Sequence, residues 1–149
     1  MKAPLPTKMN AFVYGKMSQH AVSAVSLLAE RYGDGTVLSS GQIAEGRNLS
    51  KPVVAKIMTI LSAAGLTHGV PGPNGGYCLT RDPAEIALLD VVQHFETVET
   101  SIPCPLGPDW CGNGPMCPVH DEIQKLRSAA DELLRTTNFG GFVKNRDAQ

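Results

Sequence analysis

Residues 71–76 read Pro-Gly-Pro-Asn-Gly-Gly and separate two short strand-like runs, 66–70 and 77–80. Asn74-Gly75 is a strong hairpin signal because both residue types tolerate positive φ. What precedes this turn narrows the fold further. Ser39 and Gln42 have capping-box spacing and start a short helix. Gly46 is expected to break it, and Asn48 or Ser50 to cap a second helix with Pro52 in its first turn. Val54, Ile57, Leu61 and Ala64 mark the buried stripe of that second helix, and Gly65 stops it. Two short helices joined by a Gly-containing turn fit a plain helical hairpin or a helix-turn-helix. A β-hairpin directly afterwards favours the second, because it completes a winged helix.

The flanks are helical. Ser18 is expected to cap a helix with Ala21, Val22, Val25, Leu28 and Ala29 on its apolar face, ended by Gly33-Asp34-Gly35. Asp82-Pro83-Ala84-Glu85 reads as a helix start, with Ile86, Leu89, Val92 and Phe95 following on one face. Residues 97–118 contain five prolines and three glycines and read as loop. From His120 to about Thr136, Ile123, Leu126, Ala130 and Leu133 repeat at 3-4-3 spacing, a coiled-coil-like seam. Such a helix folds back on its own core or meets its twin, and a dimer is the preferred reading.

The expected class is therefore mainly α with a small β-hairpin wing (α+β), a winged helix-turn-helix followed by a long C-terminal dimerisation helix. The expected segments are an N-terminal extension (1–15), the winged domain (16–96), a cysteine-rich loop (97–119), the dimerisation helix (120–137) and a C-terminal tail (138–149). At 149 residues, 42% apolar and 18% charged, the chain can bury a real core. No apolar run approaches the ~18 residues of a membrane span, and residues 1–8 lack a signal-peptide core, so a cytoplasmic location is expected. The net charge of −1 hides an asymmetry. Residues 1–80 carry seven Lys/Arg and three Asp/Glu (+4), whereas residues 81–149 carry six and eleven (−5). A polyanion partner would meet the first half. No catalytic triad or phosphate loop points to an enzyme.

Three of the four cysteines cluster, as Cys104-x6-Cys111-x5-Cys117-Pro-Val-His120. The paired C-x2–4-C knuckles of zinc sites are absent. Wider gaps in a Gly/Pro-rich loop suit an iron–sulfur cluster, whose sulfurs backbone N–H groups can approach. Zinc, a disulfide and inert packing remain the alternatives. His120, one turn beyond Cys117, is a candidate fourth ligand. Cys78 reads as a small buried hydrophobe, and His68 and His94 as surface residues.

With these motifs in order, the sequence resembles the Rrf2 family of bacterial winged-helix regulators. The likeness is carried by His20-Ala21-Val22, by the run from Ile43-Ala44 through Leu49-Ser50 to Leu61–Leu66, by Gly72-Pro73-Asn74-Gly75-Gly76-Tyr77 with Leu79, Asp82 and Pro83, and by the cysteine triad before the last helix. It covers roughly residues 12–143. The resemblance implies a homodimer that binds partly palindromic double-stranded DNA. It implies an iron–sulfur cluster on Cys104, Cys111 and Cys117, with 2Fe–2S favoured and 4Fe–4S the alternative, sensing redox state, nitric oxide or iron or cluster supply. His120 matches the histidine used by the cluster-biogenesis regulators of the family. Other members take a carboxylate from the partner's first helix, where this chain has Ser18-Gln19-His20.

Two departures stand out. The Arg that commonly precedes the wing Gly-Pro is Pro71 here, and the recognition helix reads Lys51-Pro52-Val53-Val54-Ala55-Lys56. The expected DNA-binding set is Arg47, Ser50, Lys51, Val53, Lys56 and wing residues Gly72, Pro73, Asn74, Gly75, Gly76 and Tyr77. Arg47, Lys51 and Lys56 would hold phosphates, and Val53 or Ala55 a thymine methyl. Ile123, Leu126, Ala130 and Leu133 form the expected dimer interface. The competing readings are a redox protein of the same fold with little DNA binding and a zinc-stabilised, non-sensing DNA-binding module.

Overall fold

The first helix is capped from across the chain. In the computed structural model, which describes residues 14–96, 106 and 117–143, α1 spans Lys16–Glu30 and its N-cap is Gly15, not Ser18. Ser18 is fully buried inside the first turn. Its hydroxyl donates to Glu96 Oε1 (2.5 Å), and the Gly15 N–H donates to the same oxygen (2.7 Å). A carboxylate is well placed at this end, where N–H groups lack intrahelical partners and the helix dipole is positive. Ala21, Ala24, Val25 and Ala29 face the core without measurable exposure, and their small size lets neighbouring elements approach closely.

The next two helices obey their local signals. In α2 (Ser40–Arg47), Ser39 and Gln42 form the expected capping box. Gly46 lies inside this helix and does not break it. A Cβ there would come within 2.7 Å of Leu27 Cδ2, so the glycine permits close α1–α2 packing. The helix ends instead at Asn48, which adopts the left-handed conformation (φ 54°). Ser50 caps α3 (Lys51–Ala63), with Pro52 in its first turn. Its buried side chains are Val54, Ile57, Met58 and Leu61; Ala64 falls at the exposed C-cap and Met58 completes the stripe.

The hairpin pairs β1 (Thr67–Val70) with β2 (Gly76–Leu79) antiparallel, with His68 opposite Cys78 and Gly69 opposite Tyr77. Leu38 adds a bridge on the far side of β2, exchanging two hydrogen bonds with Tyr77 (2.7 and 3.0 Å). The turn works differently from the sequence expectation. Asn74 has negative φ, and Gly72 alone in the wing takes a positive one (106°). Gly75 and Gly76 are required by space. A Cβ on Gly75 would lie 2.0 Å from the Val70 carbonyl oxygen, and one on Gly76 would lie 2.4 Å from the Leu38 carbonyl carbon.

The helix read from Asp82 is split. Asp82 caps only a 3-10 turn, Pro83–Glu85, after which Ile86 is extended. A separate α4, Leu88–Val92, begins after Ala87, whose N–H donates to the Asp90 carboxylate (2.8 Å). The interruption serves a tertiary pairing. Leu88 N–H donates to the Thr137 carbonyl (2.8 Å), and Phe139 N–H donates to the Ile86 carbonyl (3.1 Å). Residues 138–143 are consequently not a tail. They form a 3-10 turn, Phe139–Phe142, that buries Phe139 completely in the core.

The last helix, α5 (His120–Thr136), has the expected bounds and contributes no buried residue. No helix of the described residues is long and apolar enough to cross a membrane.

Candidate nucleic-acid interface and metal centre

One face of α3 is left for a partner. Val54, Ile57, Met58 and Leu61 turn inward, so Lys51, Pro52, Ala55, Lys56 and Thr59 lie exposed. Ser50 is occupied as a cap, its Oγ accepting from the Val53 N–H (3.4 Å). Val53 is half-buried and packs against the core, which leaves Ala55 as the more outward of the two expected methyl donors. Lys51 leans toward the start of α2, its Cε 3.8 Å from where a Cβ on Gly41 would be. Thr59 was not anticipated, yet it lies four residues beyond Ala55 on the same face. Its Oγ1 donates to the Ala55 carbonyl (2.9 Å).

Arg47 does not belong to this surface. Its Nη2 pairs with Glu30 Oε1 at 2.7 Å, and its Nε donates to the Ser23 carbonyl (3.2 Å) and Ser26 Oγ (3.1 Å). With its side chain 23% exposed, the guanidinium ties α2 to α1. The local sequence around Arg47 does not reveal this, because every acceptor lies on another helix.

At the wing, Gly72, Pro73 and Asn74 are exposed, whereas Gly75, Gly76 and Tyr77 are half-buried. Tyr77 packs against the core and beside Gly69. Ser39 and Ser40 at the start of α2 face Val70, Pro71 and Gly72 across a cleft. Helix start, outward α3 face and wing tip thus provide N–H groups, lysines and an exposed turn.

Of the four expected metal ligands, Cys117 and His120 are described; Cys104 and Cys111 lie outside the described residues. Among the described residues no three potential ligands converge. Cys117 is buried, and its Sγ accepts a hydrogen bond from the Val119 N–H (3.4 Å). The His120 N–H donates to the Cys117 carbonyl (3.1 Å), which places the imidazole on the first turn of α5. A cysteine sulfur approached by a backbone N–H, one turn from a histidine, is a donor pair that an iron–sulfur cluster or a zinc ion could use. Cys78 is half-buried on β2, with its thiol 3.9 Å from the His68 carbonyl.

The α5 seam is only partly covered among the described residues. Leu126 is 50% and Leu133 42% exposed, and Ile123 and Ala130 are half-buried.

Residues 14–145 match the Rrf2 family, described as an iron-dependent transcriptional regulator. The chain belongs to the Rrf2 family. The HTH-type transcriptional regulator IscR of Yersinia enterocolitica is 27% identical over 129 residues, covering 87% of this chain and 77% of the relative. Two solved structures share the fold. T. potens IscR superposes with a TM-score of 0.70 at 24% identity, over 93% of this chain and 90% of that one. CymR, titled the global cysteine regulator of B. subtilis, also reaches 0.70 at 22% identity, over 89% of this chain and 99% of that one. These Rrf2 relatives are transcriptional regulators and not enzymes, and the winged-helix class read from the sequence holds.

Proposed function

We propose that this Rrf2 chain is a homodimeric DNA-binding regulator whose operator affinity is set by an iron–sulfur cluster on Cys104, Cys111, Cys117 and His120. The observation that carries this reading is the position of Cys117 and His120. Cys117 lies in the turn that leads into α5 and His120 begins that helix, whose Leu126 and Leu133 stand exposed among the described residues. When bound, such a cluster supplies one-electron redox chemistry and reactivity toward oxidants and nitric oxide. The chain's own part is mechanical. Cys117 and His120 orient the first turn of α5, α5 meets its twin, and the two α3 helices are thereby set at a fixed spacing. A coupling of ~1.4–3 kcal/mol between ligand state and that spacing changes affinity about ten- to 150-fold.

Purified without oxygen, the protein is expected to be coloured, with the visible absorbance lost in Cys111→Ala. A colourless preparation carrying stoichiometric zinc would overturn the cluster and favour the zinc-stabilised module. Exchange of both Leu126 and Leu133 for Asp should give monomers in light scattering; an unchanged dimer would place the interface elsewhere.

Arg47 and Lys51 separate structural from DNA-contacting charge. Counting Lys51 and Lys56 of both α3 helices as cations that displace counterions, whether they meet a phosphate or a base edge, predicts a log–log salt slope of about −4. Lys51→Met should flatten it by about 2 in a dimer, with stability unchanged. Arg47→Met should leave the slope alone and lower stability by about 2 kcal/mol, because charge-assisted bonds between α1 and α2 are lost. Pro71 at the wing and the inward use of Arg47 favour one second reading, a redox protein of this fold with little DNA binding. A slope near zero would select it.

A further inference from the structure

We infer that the outward face of α3 selects a thymine-rich half-site containing one favoured guanine, with Lys56 reading the guanine and Ala55 and Thr59 reading thymine methyls. This rests on the reading that α3 enters the DNA major groove. Four observations carry it.

The outward positions are Pro52, Ala55, Lys56 and Thr59, spaced so that they share one face opposite Val54, Ile57, Met58 and Leu61. The other nearby lysine, Lys51, is at the first position of α3 with its Cε near the start of α2, at the edge of this row. Lys56 makes no ion pair or hydrogen bond among the described residues, so its ammonium is available. Finally, Thr59 Oγ1 donates its proton to the Ala55 carbonyl, so toward a base it has no donor to offer, only its methyl and the remaining lone pairs of the hydroxyl.

The groove code then limits the choice. Each base pair shows a distinct edge: guanine presents two acceptors, cytosine an amino donor, adenine one acceptor beside one donor, and thymine an acceptor and a methyl group. The exposed face has no Asn or Gln to grip adenine and no carboxylate to accept from cytosine. An ammonium suits the guanine acceptors. A row of Pro, Ala and Thr methylene and methyl groups suits the thymine methyl. Both lysine and methyl contacts are therefore selective by what the face lacks as much as by what it holds.

The test uses the full-length dimer, with and without its metal, and a randomised duplex pool followed by defined duplexes. Enriched half-sites should be thymine-rich around one guanine. Replacing that guanine by adenine should weaken wild-type binding about tenfold, within the range for a good base contact. In Lys56→Ala the same change should matter less than about twofold, while Lys56→Arg keeps the preference. Uracil in place of a contacted thymine, which removes only the methyl, should cost about fourfold. Thr59→Ser should abolish that sensitivity at its position, and Thr59→Val retain it. Both positions are exposed, so unchanged thermal midpoints confirm that the variants fold. Guanine preference that survives Lys56→Ala, or binding indifferent to uracil, overturns the assignment while DNA binding stands. If no duplex is retained in either metal state, the regulator reading fails, and this assignment fails with it.

Discussion

Replacing Phe139 by alanine is expected to lower the stability of the protein by about 3–5 kcal/mol, the range for emptying a fully buried phenylalanine site. Phe139 is the largest completely buried side chain among the described residues. Its backbone N–H also closes the pairing to Ile86, so the cavity opens where the C-terminal segment joins the winged domain. Because α5 has no fully buried residue, the 137–143 segment that follows it, together with the packing of α5 on α4, holds that helix to the core among the described residues. Urea unfolding monitored by circular dichroism measures the effect. Phe142, 43% exposed and 6.0 Å from the Phe139 ring centre, provides the contrast, with an expected loss of at most about 1 kcal/mol on alanine substitution. Equal effects at the two positions would show that the segment is not part of the cooperative core.

Gly76→Ala should be the second large perturbation. The added methyl would meet the Leu38 carbonyl carbon at 2.4 Å, its oxygen at 2.6 Å and the Ser39 nitrogen at 2.8 Å. All three are backbone atoms and cannot swing aside as a side-chain end would. Relief requires β2 to leave Leu38, breaking the two Leu38–Tyr77 hydrogen bonds and disturbing the Ser39 cap. The expected cost is about 3 kcal/mol, at the upper end for overpacking. Gly41→Ala is the control. It lies within α2, and its nearest neighbours, the ends of the Lys51 and Ser39 side chains, stand 3.8 Å away, so the substitution should be neutral or stabilise by up to about 1 kcal/mol. Chemical-denaturation midpoints for the two variants decide the matter, and a tolerated Gly76→Ala would mean that the Leu38 bridge is dispensable.

The two variants mark where local and long-range information part. Ser39 with Gln42, Ser50 with Pro52, and the final helix from His120 were all readable, because each depends on residues within one turn. The hairpin was readable too, although for a partly wrong reason: Asn74-Gly75 marks the turn, but close backbone approach and not positive φ demands Gly75. The candidate site divides in the same way. Lys51, Lys56 and the wing tip stand outward as their local pattern suggests. Arg47 has an equally good local claim and is drawn inward by Glu30, Ser23 and Ser26. Thr59 could have been found by extending the Ala55 face by four residues, a step the helical period licenses.

The charge asymmetry between the two halves remains a fact of the sequence, but the structure decides how much of the positive half faces a partner. What the sequence by itself determined is the helix-turn-helix, hairpin and final-helix order, the caps of α2 and α3 and the amphipathic seam of α5, since capping bonds and helical periods act over a few residues. Only the tertiary structure decided that Glu96 caps a helix 78 residues away, that Arg47 is a brace, and that the helix begun at Asp82 breaks so Ile86 can pair with Phe139. Each of these trades a local preference for a hydrogen bond or a filled core between segments far apart in the chain, and no window of neighbouring residues contains both partners.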